Sequence, residues 1–205
     1  MNSIFDVKNK NDINSNKMKI SITINDKEYF QQKFKLNKFI NICKIGGNVN
    51  VIDEKLLGDF SNLSVLELCE GVTKMEQNSF KGCKSLTQIK IPKSVTSIEN
   101  STFDGCTSLT QITIPTSVKS IKSYAFHNCA SLTQISIPSS ITSIENGAFD
   151  GCTSLKQITI PSSVTCISEN CFNGCSKLDH LTIDSFNTKI EANSFNNCNS
   201  LNDFT

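Results

Sequence analysis

Six cysteines recur at intervals of 23 residues, and this period constrains the fold more than any other feature of the sequence. The column comprises Cys83, Cys106, Cys129, Cys152, Cys175 and Cys198. The same shift of the chain on itself also aligns columns of Phe, Leu and Ile. The Phe column comprises Phe80, Phe103, Phe126, Phe149, Phe172 and Phe195. So many apolar columns in one phase indicate a solenoid, in which stacked units bury the apolar residues that a single unit cannot cover.

Within one unit, the local sequence predicts a strand followed by turns. Residues 110–114 alternate polar and apolar side chains, which is typical of a strand with one buried face. Pro115 then ends the strand because it cannot donate a ladder hydrogen bond. Residues 118–121 form a second extended piece, and residues 123–126 suit a single turn of helix. We therefore expect a right-handed superhelix with a parallel β-sheet on one side and short extended pieces with 3₁₀ or α turns on the other.

Weaker copies of the repeat extend toward the N-terminus. Ile20 and Ile22 fall at the strand positions of a degenerate unit, and Phe204 begins the ninth strand position. The first residues are rich in Asn, Lys, Asp and Ser, a composition typical of disorder. The predicted divisions are a disordered lead-in at 1–17, a degenerate capping unit at 18–33, and a repeat domain at 34–205 without an obvious C-terminal cap.

The order of residues within the unit resembles a known family. The repeat that begins at Cys106 reads Cys106-x-x-Leu109-x-x-Ile112-x-Ile114-Pro115-x-x-Val118-x-x-Ile121-x-x-x-Ala125-Phe126-x-x-Cys129. This unit resembles the BspA-like, or treponemal-class, leucine-rich repeat. The resemblance implies a leucine-rich repeat solenoid that binds proteins, often as a surface-associated adhesin or antigen. The chain departs from the family pattern where Glu99, Lys122 and Glu145 replace the usual glycine after the second extended piece.

The sequence offers no constellation for catalysis, which needs a nucleophile, a base and an orienting group held together. Its two histidines, His127 and His180, lie in different columns and more than two repeats apart. His180 occupies the column of Gln88 and its equivalents, so we interpret it as a solvent-facing variant. Asp179 precedes it, and adjacent strand residues point to opposite sides. We therefore expect no enzyme activity, no cofactor and no metal site.

The column cysteines have two interpretations. Adjacent coils bring their Cα atoms about 5 Å apart, within disulfide range. Stacked side chains point the same way, however, and each inner cysteine has neighbours above and below, so we favour buried free thiols. Cys43 and Cys171 also occupy core positions. Cys69 takes the place of a proline and Cys166 that of a serine, so these two are the candidates for exposed thiols.

Charge and hydropathy exclude several classes of partner. The net charge of +1 gives no broad field that would attract nucleic acid or an anionic membrane. No run of about 20 apolar residues is present, so we expect no direct membrane insertion. The first residues contain no apolar stretch typical of a secretory signal. The chain is therefore expected in the cytoplasm, or at the surface by a route without a signal peptide.

A protein partner would contact the strand side chains that point away from the core. At the N-terminal end of the sheet these combine apolar groups with both signs of charge, a mixture typical of interfaces. The predicted partner-binding residues are Ile42, Lys44, Val65, Glu67 and Lys90. The central Gln and Thr columns are nearly uniform, which favours a role in solubility. An equally good interpretation of the N-terminal patch is that its repeats diverge because they cap the stack.

The C-terminal end predicts self-association. An uncapped final coil exposes apolar columns and strand edges, which favours pairing with a second copy. We expect a homodimer through Phe186, Leu201 and Phe204. Taken together, the sequence predicts a non-catalytic protein-binding scaffold that presents its sheet face, as a surface-associated adhesin or antigen. The alternative is an intracellular adaptor that regulates an enzyme such as a protein phosphatase.

Overall fold

The structure is a computed structural model that describes residues 8–10, 19–24, 40–57 and 62–204. The chain forms a β-solenoid in which each coil of about 23 residues adds one strand to a long sheet. In chain order the elements are β1 (Lys8–Lys10), β2 (Lys19–Ile24), β3 (Ile40–Ile45), β4 (Val51–Ile52), α1 (Glu54–Leu57), β5 (Val65–Leu68), β6 (Lys74–Met75), β7 (Gln88–Lys90), β8 (Ser97–Ile98), β9 (Gln111–Thr113), β10 (Ser120–Ile121), β11 (Gln134–Ser136), β12 (Ser143–Ile144), β13 (Gln157–Ile160), β14 (Cys166–Ile167), β15 (His180–Ile183), β16 (Lys189–Ile190) and β17 (Asp203–Phe204).

The strands form one long sheet and two shorter ones. The long sheet has the order β1-β2-β3-β5-β7-β9-β11-β13-β15-β17, and all its pairs are parallel except β1 with β2. A five-stranded sheet, β16-β14-β12-β10-β8, and the pair β4-β6 are built from the second extended piece of each coil. Gln134 lies opposite Gln111 on one side and Gln157 on the other, which confirms the register expected from the cysteine period.

The N-terminal coil differs from the sequence-based register. Ile22 lies opposite Cys43 and Ile24 opposite Ile45, with an irregularity between Ile20 and Ser21. Assigning Ile20 and Ile22 to these strand positions was therefore wrong by two residues, because this coil is shorter than the coils that follow it. β1 lies within the expected lead-in of residues 1–17 and pairs antiparallel with β2. The rest of the lead-in lies outside the described residues, and the predicted divisions of the chain stay predictions.

The Phe column forms the centre of the core. Successive rings from Phe80 to Phe195 are stacked, with centroids 5.2–5.4 Å apart and planes within 13° of parallel. The first five rings are fully buried, and Phe195 in the last complete coil is partly buried. Burial of one such side chain contributes about 1.5–3 kcal/mol relative to its exposure to water. The periodicity of the sequence therefore translates directly into a stacked aromatic row.

The cysteine column lies beside the Phe column and makes a repeated hydrogen bond. The thiol of Cys106 donates from Sγ to the carbonyl oxygen of Phe80 at 3.2 Å. The same bond recurs one coil at a time for the four cysteines that follow, namely Cys129, Cys152, Cys175 and Cys198. Five of the six cysteines are buried and Cys198 is partly buried, and all are free thiols. Their predicted place in the core is confirmed. Burial raises the pKa of each thiol.

Hydrogen-bonded turns connect the strands. The amide of Val118 donates to the carbonyl of Pro115, and the amide of His127 donates to the carbonyl of Tyr124. These turns are separate and do not continue as helix. In place of the helical turn expected at residues 123–126, the structure has hydrogen-bonded turns of this kind. The helix α1 is short and capped, because the Asp53 carboxylate accepts the amide of Leu56 at 2.9 Å.

Two positions in each coil adopt a left-handed backbone conformation. The first has φ between 53° and 61° and comprises Asn78, Ser101, Tyr124, Gly147, Asn170 and Asn193. The second comprises Gly82, Gly105, Asn128, Gly151, Gly174 and Asn197. Gly and Asn adopt this conformation at low cost, whereas a bulky residue there is unusual. Tyr124 is therefore the exception in its column.

Of the helices in the described ranges, none is long and apolar enough to cross a membrane.

Candidate protein-binding surface

The outer face of the long sheet carries two columns of exposed side chains. In β9 the buried Ile112 alternates with the exposed Gln111 and Thr113. The parallel register repeats this alternation in each coil, so Gln and Thr or Ser side chains form two continuous ladders. Because neighbouring strands lie about 4.8 Å apart, each ladder offers a hydrogen-bonding group at that interval. The outer face is thus a regular polar surface.

An open concavity of about 730 Å³ lies over the central part of this face. The exposed side chains that line it belong to the two ladders. They are Gln111, Thr113, Gln134, Ser136, Gln157, Thr159, His180 and Thr182. His180 is the one titratable side chain among them. The uniform residues of these columns favour solubility and ladder hydrogen bonds more than recognition, and they do not predict the concavity, since curvature of a sheet leaves no mark on its residue pattern.

The N-terminal patch, residues Ile42, Lys44, Val65, Glu67 and Lys90, lies on the same outer face. Ile42 is opposite Val65 and Lys44 is opposite Glu67 in adjacent strands. The Glu67 carboxylate lies 3.5 Å from the ammonium of Lys44 and 3.3 Å from that of Lys90. The hydrogen bond from Lys90 lowers the pKa of Glu67, and the charge of Lys44 adds to this effect. The patch is therefore one ion-pair network flanked by two apolar side chains, both partly buried.

His180 and Asp179 are closer than expected. Asp179 Oδ1 lies 2.6 Å from His180 Nδ1, and this contact lowers the pKa of Asp179. The expectation that the two side chains point to opposite sides was wrong, because Asp179 lies just before β15 and outside the strand, where strand alternation does not apply. This pair places a carboxylate and an imidazole at one end of the concavity.

A second polar network lies on the turns. His127 Nδ1 is 2.8 Å from Asp104 Oδ1, and Lys81 Nζ is 3.1 Å from the other oxygen of the same carboxylate. The ring of Tyr124 contacts His127 edge to face, with centroids 5.6 Å apart. Sequence analysis treated His127 only as a candidate for catalysis and did not consider Tyr124. The signal was available as a Tyr in a column otherwise occupied by Asn, Ser and Gly.

The last coil exposes apolar side chains. Phe186 is fully exposed and Ile190 is 48% exposed, whereas the equivalents of Ile190 in earlier coils are buried. Leu201 is partly buried and packs against the core. Phe204 belongs to β17 and pairs with Leu181, and its side chain lies outside the described residues. The structure thus places Phe186, but not Leu201, fully in solvent.

A change in hydrogen bonding accompanies Phe186. In the earlier coils the equivalent serine donates to a carbonyl of the preceding coil, as Ser163 does to Ile141 at 2.6 Å. In the last coil the hydroxyl of Thr188 takes over this role and donates to the carbonyl of Val164 at 3.1 Å. The backbone therefore retains its partner, and position 186 no longer has to carry a hydroxyl.

The exposure of the four cysteines outside the column largely follows the sequence-based prediction. Cys43 and Cys171 are fully buried, as predicted, and Cys69 and Cys166 are partly exposed. Cys69 lies against Gly46, where an added Cβ would approach its Sγ to 2.7 Å. Partial burial raises the pKa of Cys166. In the described parts of the chain, no three His, Cys, Asp or Glu side chains group in a way that could hold a metal ion.

Comparisons with known proteins agree with this architecture. A family model described as BspA type leucine rich repeat region, in six copies, matches residues 7–87 and 73–202. The solved leucine-rich repeat protein TpLRR of T. pallidum is 23% identical with a TM-score of 0.74, and the match covers 99% of this chain and 90% of that one. No curated protein sequence matches.

Two further solved structures are longer than this chain. A leucine-rich repeat protein of Bacteroides ovatus is 25% identical with a TM-score of 0.69, over 82% of this chain and 49% of that one. A leucine-rich cell surface protein of Faecalibacterium prausnitzii is 28% identical with a TM-score of 0.67, over 91% and 54%. The chain therefore spans about half the length of these two. Repeat scaffolds of this family commonly bind proteins and are generally non-catalytic. The match to its repeat model over most of the sequence shows that the chain belongs to the BspA-type leucine-rich repeat family.

Proposed function

We propose that the chain is a non-catalytic scaffold that binds a protein partner through the outer face of the long sheet. One observation carries this proposal: among the described residues none covers the concave outer face, whose polar side chains are exposed while the apolar side chains of the same strands are buried in the core. The N-terminal patch adds apolar groups and both signs of charge to this face, a mixture typical of interfaces. The family's general role in protein binding supports the same conclusion.

The partner-binding residues in this proposal are those of the N-terminal patch. Lys44 and Lys90 flank Glu67, so the network carries a net charge of +1 beside Ile42 and Val65. A partner with an acidic residue beside an apolar one would complement it. Lys90 lies opposite Thr113, which lines the concavity, so a longer partner would extend from the patch over the uncharged ladders.

Charge inversion tests the patch without removing its ion pairs. The triple variant Lys44→Glu/Glu67→Lys/Lys90→Glu exchanges every charge, so the pairs remain and the net charge becomes −1. We expect this variant to lose the partner that the wild-type chain captures from extracts of its native cell. Ser136→Arg, in the middle of the concavity, tests the ladders in the same way. Lys119→Glu, an exposed change away from the long sheet, is the matched control. Equal recovery with all the variants would show that the sheet face is not used.

We propose separately that this scaffold is displayed at the cell surface as an adhesin or antigen. The 28% identical protein of Faecalibacterium prausnitzii, described as a cell surface protein, supports this setting. The alternative is an intracellular adaptor of an enzyme such as a protein phosphatase. Antibodies against the folded chain distinguish the two: staining of intact cells is expected for surface display, and staining only after permeabilisation would contradict it.

We further propose that the last coil mediates homodimer formation through Phe186, Leu201 and Phe204. The full exposure of Phe186 and the half exposure of Ile190 support this proposal, because large apolar groups in water are costly unless a partner covers them. Thr188 maintains the hydrogen bond that Phe186 cannot make, so the exposed ring has no role in the coil's own ladder.

A further inference from the structure

Tyr124 occupies a backbone position that is unfavourable for its residue type. Its φ is +57°, and the equivalent positions hold Asn, Gly or, once, Ser. A bulky side chain in this region costs about 1 kcal/mol or more, and such exceptions accumulate at functional sites. Tyr124 is also 43% exposed, so burial of its ring in the core does not account for the choice.

A second departure from the repeat makes room for the ring. The next coil has Gly147 at the equivalent position, and a Cβ there would lie 2.5 Å from Cε1 of Tyr124 and 2.7 Å from Cδ1. The ring therefore lies directly on the Gly147 backbone. The imidazole of His127 contacts the ring edge to face at 5.6 Å and is itself fixed by Asp104. The aromatic ring is thus held in one place and still reaches solvent.

The surroundings of the ring are acidic although the chain as a whole is slightly basic. The turn ridge, defined as residues 99–107, 122–130 and 145–153, contains four carboxylates and one lysine. Lys81 of the preceding coil pairs with Asp104 at 3.1 Å, so the group with Lys81 included has a net charge of −2. The carboxylates are Glu99, Asp104, Glu145 and Asp150. Glu145 accepts hydrogen bonds from the backbone amide and the hydroxyl of Ser123, next to Tyr124, and pairs with Lys122 at 2.7 Å. Neighbouring coils are about 4.8 Å apart, less than the screening length of about 8 Å at physiological salt, so these charges act together.

We propose that the turn ridge is a second protein-binding site, in which the ring of Tyr124 receives an arginine or lysine side chain of a basic partner segment. An aromatic face attracts a cation through its quadrupole, and surrounding carboxylates strengthen the attraction. This site lies on the turns and not on the sheet face, so it is independent of the surface proposed above.

The probe is a hexa-arginine peptide with an acetylated N-terminus and an amidated C-terminus. The peptide is titrated into isotope-labelled protein, and the NMR signals of residues 124, 127 and 147 are followed. We expect saturable shifts at these residues that weaken as salt is raised. A hexa-glutamate peptide of the same length should cause no shift. Shifts confined to the Gln and Thr ladders, or none at all, would overturn the proposal.

Two variants separate recognition from folding. Tyr124→Asn places at this position the residue found at Asn78, Asn170 and Asn193, so its urea midpoint should equal or exceed that of the wild type. Its affinity for the peptide should fall about fivefold, because the cation–π contact is lost. Tyr124→Phe keeps the ring and should retain the affinity. A Tyr124→Asn variant that binds as tightly as the wild type would show that acidic charge alone attracts the peptide. A lowered urea midpoint would show that the ring serves the fold, and would also contradict the proposal.

Discussion

The thiol of Cys129 donates a hydrogen bond to the carbonyl oxygen of Phe103, a residue of the preceding coil, at 3.2 Å. Cys129 is fully buried, and the Phe103 ring stacks on the ring of Phe126 in the same coil as the cysteine. The cysteine of a coil therefore fills space in the core, and its thiol also binds the backbone carbonyl of the Phe in the preceding coil. The repeat of this bond along the stack explains why cysteine, and not alanine, recurs at this position.

Replacement of Cys129 by alanine should destabilise the fold by about 1–2 kcal/mol. The change removes the sulfur from a fully buried place and leaves the Phe103 carbonyl without its donor. Urea unfolding followed by circular dichroism measures the effect. Cys166→Ala, at a partly exposed cysteine, is the control and should change the stability by less than about 0.5 kcal/mol. Equal losses in the two variants would show that the buried column has no special role.

The position of a Phe within the stack should determine the cost of its removal. Phe126→Ala removes a fully buried ring with stacked neighbours on both sides and should cost about 3–5 kcal/mol. Phe195→Ala removes a partly buried ring that stacks on Phe172, and should cost about half as much. Amide hydrogen exchange should locate the loss of protection in the coils next to each mutation. A uniform loss along the chain would contradict nearest-neighbour stacking.

Much of the fold follows from the sequence because it depends on features that repeat. The 23-residue period alone is enough to predict the Phe column, the Cys column and the pairing of Gln111 with Gln134. The register of Ile22 was missed because its coil is shorter, and a fixed shift cannot detect a change of length.

Local features of the candidate sites were harder to predict. The contact of Asp179 with His180 depends on where a turn ends and a strand begins. The only sign of the strained backbone of Tyr124 in the sequence is its residue type, a Tyr in a column of Asn, Ser and Gly. Such features lie outside the apolar pattern and carry little signal in one sequence.

The ten cysteines should differ widely in reactivity. A brief pulse of iodoacetamide on the native protein, followed by peptide mapping, should modify Cys69 and Cys166 first because both are partly exposed. Cys198 should follow slowly, since partial burial raises its pKa to about 11 and leaves little thiolate. The inner column, represented by Cys152, should react only after unfolding in urea, when all ten thiols become accessible. Labelling of Cys152 at the rate of Cys166 in the native protein would contradict the buried column.

Replacement of Phe186 by serine should convert the proposed dimer into a monomer without loss of stability. Serine is the residue of earlier coils at this position and can donate to the carbonyl of Val164. Light scattering over a range of protein concentrations measures the mass. Thr188→Val is the matched control: it removes the existing hydrogen bond and should cost about 1 kcal/mol while leaving the mass unchanged. A wild-type chain that stays monomeric at high concentration would refute self-association through this coil.

The ion-pair network of Glu67 should make a small contribution to stability that depends on pH. Hydrogen bonding to Lys90 lowers the pKa of Glu67 in the folded state, with the charge of Lys44 acting in the same direction. The folded state therefore gains stability above the unfolded pKa of about 4.3, and this gain is lost as the pH falls through the folded value. Because all three groups are at least 40% exposed, solvent limits the effect to less than about 1 kcal/mol.

Urea unfolding at pH 7 and pH 3 tests this contribution. Glu67→Gln should be less stable than the wild type at pH 7, and the difference should shrink at pH 3, because it is lost as the pH falls through the lowered pKa of Glu67 and the wild-type carboxyl becomes protonated as well. Glu70→Gln, an exposed change in the following turn, corrects for the general effect of removing one negative charge. An equal deficit of Glu67→Gln at both pH values would mean that the amide disturbs the sheet surface sterically. The two lysines would then lie beside Glu67 without stabilising its charge, and the N-terminal patch would have to be considered as separate charges instead of one network.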